Sequence, residues 1–290
     1  MKYIYYPGCS LEGTAREYNG STQAAMRAMG AELFELEDWT CCGASAAEAT
    51  SYLLSMVLAA RNLALGEKMN VGGDFLIPCS ACYLNLRRVE DHVQRDGKLL
   101  NKINEALGEE SLKYKGGIKV RHLLDVLATD FNPDDIRALV KKELSGLHVA
   151  PYYGCQVLRP YVTFDDPQEP RSMESLLEAL GAEIFPWSVG GKCCGAALMT
   201  TKKDVALELT GGILKAAQGA DCIVTVCPMC QMNLEAYQAP ISKAQGQEMN
   251  ISILYLPQLL GLAFGLSSKE LKLNLNLALT DEFRMKVGMS

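Results

Sequence analysis

The chain has 290 residues, 49% hydrophobic and 21% charged, with a formal net charge of −6 and a pI near 5.3. This is globular composition with length for two ordinary domains, and an acidic balance without a Lys/Arg stripe excludes a nucleic-acid footprint. No apolar run approaches the ~20 residues that cross a bilayer, and MKYIYYPGCS lacks the apolar core of a signal peptide, so the chain reads as soluble and cytoplasmic.

In chain order, KYIYYP is a predicted strand that ends just before Cys9. STQAAMRAM is the helix after it, with Gly30 where a helix C-cap is expected. The strand AELFELE then runs up to Cys41, Cys42 and Gly43. A long helix, AAEATSYLLSMVLAARNLAL, precedes a third strand, DFLIP, which opens onto Cys79 and Cys82 and another helix. GEESLKYKGG, residues 108 to 117, is a loop.

The same succession then repeats. The strand LHVAPYY leads to Cys155, the helix MESLLEAL to Gly181, and the strand AEIFPW to Cys193, Cys194 and Gly195. The helix KKDVALELTGGILKAAQ and the strand CIVTV bring the chain to Cys227 and Cys230. Matching segments stand about 150 residues apart, so one unit is duplicated. The expected boundary lies between Lys142 and Gly146, giving domains 1–144 and 145–290. Strands alternating with helices predict an α/β fold, a parallel sheet in each half. In such sheets the carboxyl ends of the strands share one edge, where ligands bind. Every motif cysteine follows a predicted strand, so residues far apart in sequence are expected to converge there.

Eleven cysteines in a reducing compartment point to metal or redox chemistry rather than disulfides. A lone CxxC is compatible with zinc, a thiol–disulfide switch or a cluster. The ordered set C-x31-CC-x36-CxxC, then C-x37-CC-x32-CxxC, is far more specific. Each half offers five sulfurs, whereas a structural zinc or a cubane iron–sulfur cluster closes with four. Neighbouring thiolates could reach different irons of a more open cluster. Zinc remains an alternative occupant.

At these residues the chain resembles the CCG-domain proteins, and closely the B subunit of heterodisulfide reductase, over nearly its whole length. The resemblance implies two similar CCG domains, each a small Rossmann-like sheet, and two noncubane 4Fe–4S clusters. Cys9, Cys41, Cys42, Cys79 and Cys82 would hold one cluster, and Cys155, Cys193, Cys194, Cys227 and Cys230 the other. It implies a disulfide oxidoreductase that acts on a substrate resembling CoM-S-S-CoB, cleaved or formed between the clusters with one electron from each. There is no ferredoxin-type cysteine run and no GxGxxG after a strand. Electrons would come from partners, which the resemblance gives as the ferredoxin-like C subunit and the flavin-containing A subunit of heterodisulfide reductase. The alternatives are an electron-transfer protein without its own substrate and a zinc-bearing structural protein of the same complex.

The remaining residues carry plainer readings. Cys222 alternates with Val224 and Val226 and reads as a buried small hydrophobe. His92, His122 and His148 stand apart from the motifs and read as surface or structural residues. Tyr5, Tyr6, Tyr152, Tyr153, Trp39 and Trp187 read as packing. Arg159 and Lys192 are weak candidates for an anionic substrate; with Arg16, Lys202 and Lys203 they read first as solvated cations.

Overall fold

The computed structural model describes residues 1–44 and 46–289. The first half runs β1 (Lys2–Tyr5), α1 (Gly8–Glu12), α2 (Arg16–Ala28), β2 (Glu32–Glu35), α3 (Ala46–Thr50), α4 (Tyr52–Met69), β3 (Asp74–Ile77), α5 (Ser80–Arg95), α6 (Gly97–Gly108), β4 (Val120–His122), α7 (Leu123–Thr129) and α8 (Pro133–Leu139). The second runs β5 (His148–Tyr152), α9 (Ser172–Ala179), β6 (Glu183–Ile184), α10 (Lys203–Ala216), β7 (Cys222–Thr225), α11 (Pro228–Ala236), α12 (Gln238–Gln245), β8 (Ser252–Tyr255), α13 (Leu256–Ala263) and α14 (Asp281–Lys286).

Each half forms one four-stranded parallel sheet, in the order β2-β1-β3-β4 and β6-β5-β7-β8. β1 pairs with β2 from Lys2–Glu32 to Tyr5–Glu35, and with β3 from Tyr3–Asp74 to Tyr5–Leu76. Parallel pairing needs helical crossovers, which cover both faces. The inner strand β7 is accordingly buried at every residue, whereas the edge strand β2 is only partly covered.

Three features differ from the sequence expectation. Each sheet has a fourth strand, β4 or β8, which leads into a helix rather than a cysteine motif. In β4 the buried Arg121 satisfies its charge on Asp125 at 2.9 Å and Asp130 at 2.7 Å. The long helix expected from residue 46 breaks at Ser51, whose extended backbone and side-chain oxygen cap α4 on the Leu54 N–H. The strand AEIFPW shrinks to two residues, because Pro186 has no N–H to give a ladder.

The two halves pack reciprocally. α2 of the first lies on α13 of the second, and α9 of the second lies on α7 and α8 of the first. One hydrophobic core runs through both halves, from Tyr3 to Val287, and a smaller one lies wholly in the second. The stretch expected to divide the halves lies between α8 and β5, where Leu144 and Leu147 are buried in the shared core. Among the described residues no helix is long and apolar enough to cross a membrane.

Candidate metal centres

In the order β2-β1-β3-β4 the chain leaves β1 toward one side and later returns to its other side. The crossovers diverge at the carboxyl ends of β1 and β3, which opens a crevice there. Cys9 lies in the first turn of α1 after β1, Cys41 and Cys42 follow β2, and Cys79 caps α5 after β3 with Cys82 in its first turn. The second half repeats this with Cys155, Cys193 and Cys194, and with Cys227 capping α11.

The sulfurs meet as a line of neighbours. Cys9 Sγ lies 3.9 Å from Cys41 Sγ, and Cys42 Sγ lies 3.4 Å from Cys82 Sγ, which also neighbours Cys79. Cys194 Sγ lies 3.4 Å from Cys230 Sγ, Cys230 contacts Cys227, and Cys193 contacts Cys155. Among the described residues no three Cys, His, Asp or Glu side chains converge as ligands of a single metal ion. Burial explains the doubled cysteine: Cys41 and Cys193 are exposed, whereas Cys42 and Cys194 are buried. One dipeptide thus supplies a rim sulfur, paired with Cys9 or Cys155, and an inner sulfur, paired with Cys82 or Cys230.

The backbone is shaped to the sulfurs. Gly43 and Gly195 hold φ of +77° and +78°, and their N–H groups turn back to Cys41 Sγ at 3.4 Å and Cys193 Sγ at 3.3 Å. Gly8 and Gly154 both hold φ +71°. A Cβ on Gly8 would stand 2.8 Å from Cys82 Sγ, and one on Gly154 3.1 Å from Cys230 Sγ. The cradle therefore requires glycine at both places. Five soft sulfur donors in so close a cradle fit an iron–sulfur group.

Polar side chains fix the loops in both halves. Tyr6 donates to Thr40 O at 2.8 Å and Tyr152 to Lys192 O at 2.7 Å, each carbonyl just before the cysteine pair. Asn85 donates to Cys42 O at 3.1 Å and Asn233 to Cys194 O at 3.2 Å. Asn62, fully buried, receives the Thr40 N–H at 2.9 Å and donates to Thr40 O at 3.0 Å. Sequence reasoning read the two tyrosines as packing and missed the three asparagines. The signal was present for two of them, since Asn-Leu follows the CxxC in both halves.

As free thiols the sulfurs are unequal. The S–H of Cys41, then that of Cys82, holds Cys42 well below the usual thiol value, and the same bonds push Cys41 and Cys82 up. The S–H of Cys155 lowers Cys193 to about 6, helped by its Gly195 N–H and by Arg159; the S–H of Cys230 lowers Cys227 to about 7. Each site thus stabilises thiolate, the form that binds metal.

The two centres adjoin one another. The Tyr18 hydroxyl lies 3.1 Å from both Pro78 O and Val226 O, the carbonyls just before Cys79 and Cys227. Ser80 Oγ, beside Cys79, lies 3.3 Å from Val226 O and 3.2 Å from His122 Nε2. His122 is wholly buried, and its Nδ1 accepts the Leu124 N–H at 3.1 Å, so Nε2 carries the proton toward Ser80. This histidine belongs to the seam between the centres.

The other candidates lie as follows. Arg159 donates to Pro167 O and Gly191 O, and Lys192 is exposed next to Cys193. Arg16 donates to Glu12 O, Lys203 lies over the Tyr237 ring, and Lys202 is exposed. His92 meets Tyr52, and His148 meets Glu183 at the amino edge of the second sheet. Cys222 is buried at that same amino edge, at the opposite end of β7 from Cys227. A cleft of about 600 Å³ flanks the second set, lined among others by Tyr153, Arg171, Glu174, Phe185 and Trp187.

Fold and site define a duplicated, cysteine-rich α/β protein with a thiolate cradle in each half. The model of the CCG cysteine-rich domain matches residues 3–87 and 149–235. The chain belongs to this cysteine-rich CCG-domain family, in the duplicated form that resembles the B subunit of heterodisulfide reductase. It is 39% identical over 279 residues to the 8-methylmenaquinol:fumarate reductase membrane anchor subunit of Wolinella succinogenes, covering 95% of this chain and 96% of that one. It is 28% identical over 293 residues to the B subunit of the ferredoxin/F(420)H(2)-dependent CoB-CoM heterodisulfide reductase of Methanosarcina acetivorans, covering 99% and 97%. A crystal structure of a hypothetical protein from Helicobacter pylori shares the fold, with a TM-score of 0.78 and 16% identity over 96% of this chain. The chain spans about half (52%) of that structure.

Proposed function

We propose that the chain is the catalytic subunit of a heterodisulfide reductase-like complex in the cytoplasm. Two noncubane 4Fe–4S clusters would be held, one by Cys9, Cys41, Cys42, Cys79 and Cys82, the other by Cys155, Cys193, Cys194, Cys227 and Cys230. The observation that carries this reading is their adjacency, with Tyr18 touching both CxxC turns and Ser80 reaching across the seam. A disulfide takes two electrons, and clusters held by these two cysteine sets would supply one-electron chemistry on either side of one seam. The balance is one disulfide, two electrons and two protons giving two thiols.

The chain's own residues set the conditions. The seam residues Tyr18, Ser80 and His122 keep the two turns in register. The rim sulfurs Cys9, Cys41 and Cys193 face solvent, where a substrate arrives. Arg159 and Lys192 beside Cys193 attract an anionic disulfide. Electrons come from a ferredoxin-like C subunit and a flavin-containing A subunit. Zinc fits the donor set less well, since it closes with four ligands where each half presents five.

Anaerobic purification with metal analysis and electron paramagnetic resonance tests this. Iron and sulfide for two clusters are expected, with signals that change on adding disulfide or thiol. Zinc without iron would leave only a structural role.

A second reading, an electron-transfer protein with no disulfide of its own, is favoured by the 39% identity to a methylmenaquinol:fumarate reductase subunit. Under it the clusters are reduced by a quinol, and disulfide leaves the signals unchanged. Tyr153, Phe185 and Trp187 line the cleft beside the second set, and a quinone ring would pack against them.

A further inference from the structure

The inner sulfur of the first set meets a side-chain donor that has no equivalent in the second. Asn85 and Arg88 stand three residues apart on α5, on one face of the helix. Asn85 is buried, and its Nδ2 donates to Cys42 O at 3.1 Å and to Cys42 Sγ at 3.8 Å. An amide nitrogen carries two hydrogens, one for each of these acceptors. Arg88 Nη2 donates to Asn85 Oδ1 at 2.6 Å, and its Nη1 pairs with Glu48 on α3 at 2.7 Å. A guanidinium has donors only, so the amide oxygen belongs to Arg88 and the amide hydrogens to Cys42.

The second half keeps the asparagine and loses the arginine. Counting from each CxxC, Asn233 matches Asn85 and Ala236 takes the place of Arg88. Among the described residues the Asn233 amide bonds Cys194 O, at 3.2 Å, and no sulfur; Thr210 shares that carbonyl at 2.9 Å. The Asn85 contact also has an electrostatic sign. The S–H of Cys41, then that of Cys82, holds the Cys42 thiol down against burial, and the Ala44 N–H and the Asn85 amide act in the same direction. Asn85 therefore favours negative charge on the Cys42 sulfur.

We propose that Arg88 is a positioning residue of the first centre: by binding the Asn85 oxygen it aims and strengthens the amide hydrogen bond to the Cys42 sulfur, and so raises that centre's reduction potential. Hydrogen bonds to the sulfurs are among the features that set the potential of an iron–sulfur group. A donor stabilises the sulfur most in the reduced, more negative state. A cation on the far end of the amide polarises its N–H groups and strengthens the bond they give. Arg88 touches no cysteine, and no bond is made or broken in this role. Because Ala236 cannot repeat it, the duplicated sets become electronically unequal.

The inference rests on the reading that redox centres bind both cysteine sets. The test is a dithionite titration of the anaerobically loaded chain, followed by electron paramagnetic resonance. Cys194→Ala and Cys41→Ala mark the signals of the first and second centres. A charge-backed hydrogen bond is roughly twice as strong as a neutral one, so Arg88→Met is expected to shift the first centre about fivefold toward its oxidised form at a given potential. The second centre stays at its wild-type value. Arg88→Lys, which also offers the amide oxygen donors only, restores most of the loss. An unchanged first centre in Arg88→Met, or a shift shared by both centres, overturns the proposal. So does a Glu48→Gln variant that falls as far, since that would trace the effect to the surface ion pair. Should Arg88→Met lose its iron, pulsed resonance of Cys194→Ala labelled with nitrogen-15 in its asparagine side chains decides. A nitrogen coupling to the reduced first centre is expected, and its absence overturns the assignment. A preparation without iron and sulfide instead overturns the reading beneath it.

Discussion

Gly8 and Gly154 each precede the first cysteine of a set, and neither has room for a methyl group. Gly8→Ala is expected to strip about half of the bound iron, since αL alanine costs about 1–2 kcal/mol and its Cβ meets Cys82 Sγ. Gly154→Ala, with the looser 3.1 Å approach, acts more weakly on the other half. Iron per chain after anaerobic purification checks both. Cys41→Ala and Cys194→Ala should each lose one centre while Cys222→Ala, buried at the far edge, keeps both; loss of iron in Cys222→Ala would count against the ligand assignment.

Glu235, buried on α11, makes a second prediction at this scale. Burial raises its carboxyl to about 7, above the ordinary 4.5, so between these values the folded chain holds a proton that the unfolded chain releases. Stability from this group is therefore complete below about pH 4.5 and is lost as pH rises through about 7, a change on the order of 3 kcal/mol. Melting temperature measured against pH should fall across this window in the wild type and be flatter in Glu235→Gln. The residues of these tests differ in legibility. The cysteines were visible through spacing alone, whereas Glu235 follows the second CxxC without counterpart or motif, and only burial under residues 276–278 marks it.

At the scale of elements, α2 does more than cross over between strands. Its Tyr18 stacks on Tyr255 with ring centroids 3.9 Å apart and planes within 2°. Its hydroxyl serves two buried carbonyls from different halves. Tyr18→Phe removes that donor and should cost about 1–2 kcal/mol, read as a lower denaturant midpoint with the slope unchanged. An unchanged midpoint would show that the two turns are held by other contacts. The break at Ser51 shows why the long helix was not readable: apolar spacing continues through it, but the serine oxygen competes for a backbone N–H and starts a new helix. Likewise β4 and β8 were missed because neither leads into a cysteine motif, the mark by which the other short strands were read.

At the scale of the whole molecule, duplication has produced two halves that depend on each other. α2 on α13 and α9 on α7 repeat one contact in both directions, much as a twofold dimer does. The continuous core means that residues 1–144 alone would expose the apolar faces that α9 and α13 cover. Separately expressed halves are expected to aggregate and to fold on co-expression. A cooperative unfolding transition from residues 1–144 alone would contradict this.

The sequence by itself determined the duplication, the parallel α/β class and the placement of ten cysteines after strands, because those follow from local spacing and chain period. It also carried the family. Only the tertiary structure decided that β1 and β5 lie inside their sheets, that one cysteine of each pair faces out and the other in, and that the two cradles meet at Tyr18. These depend on strand order and on packing between helices more than a hundred residues apart, where contact energy, rather than local propensity, selects the arrangement.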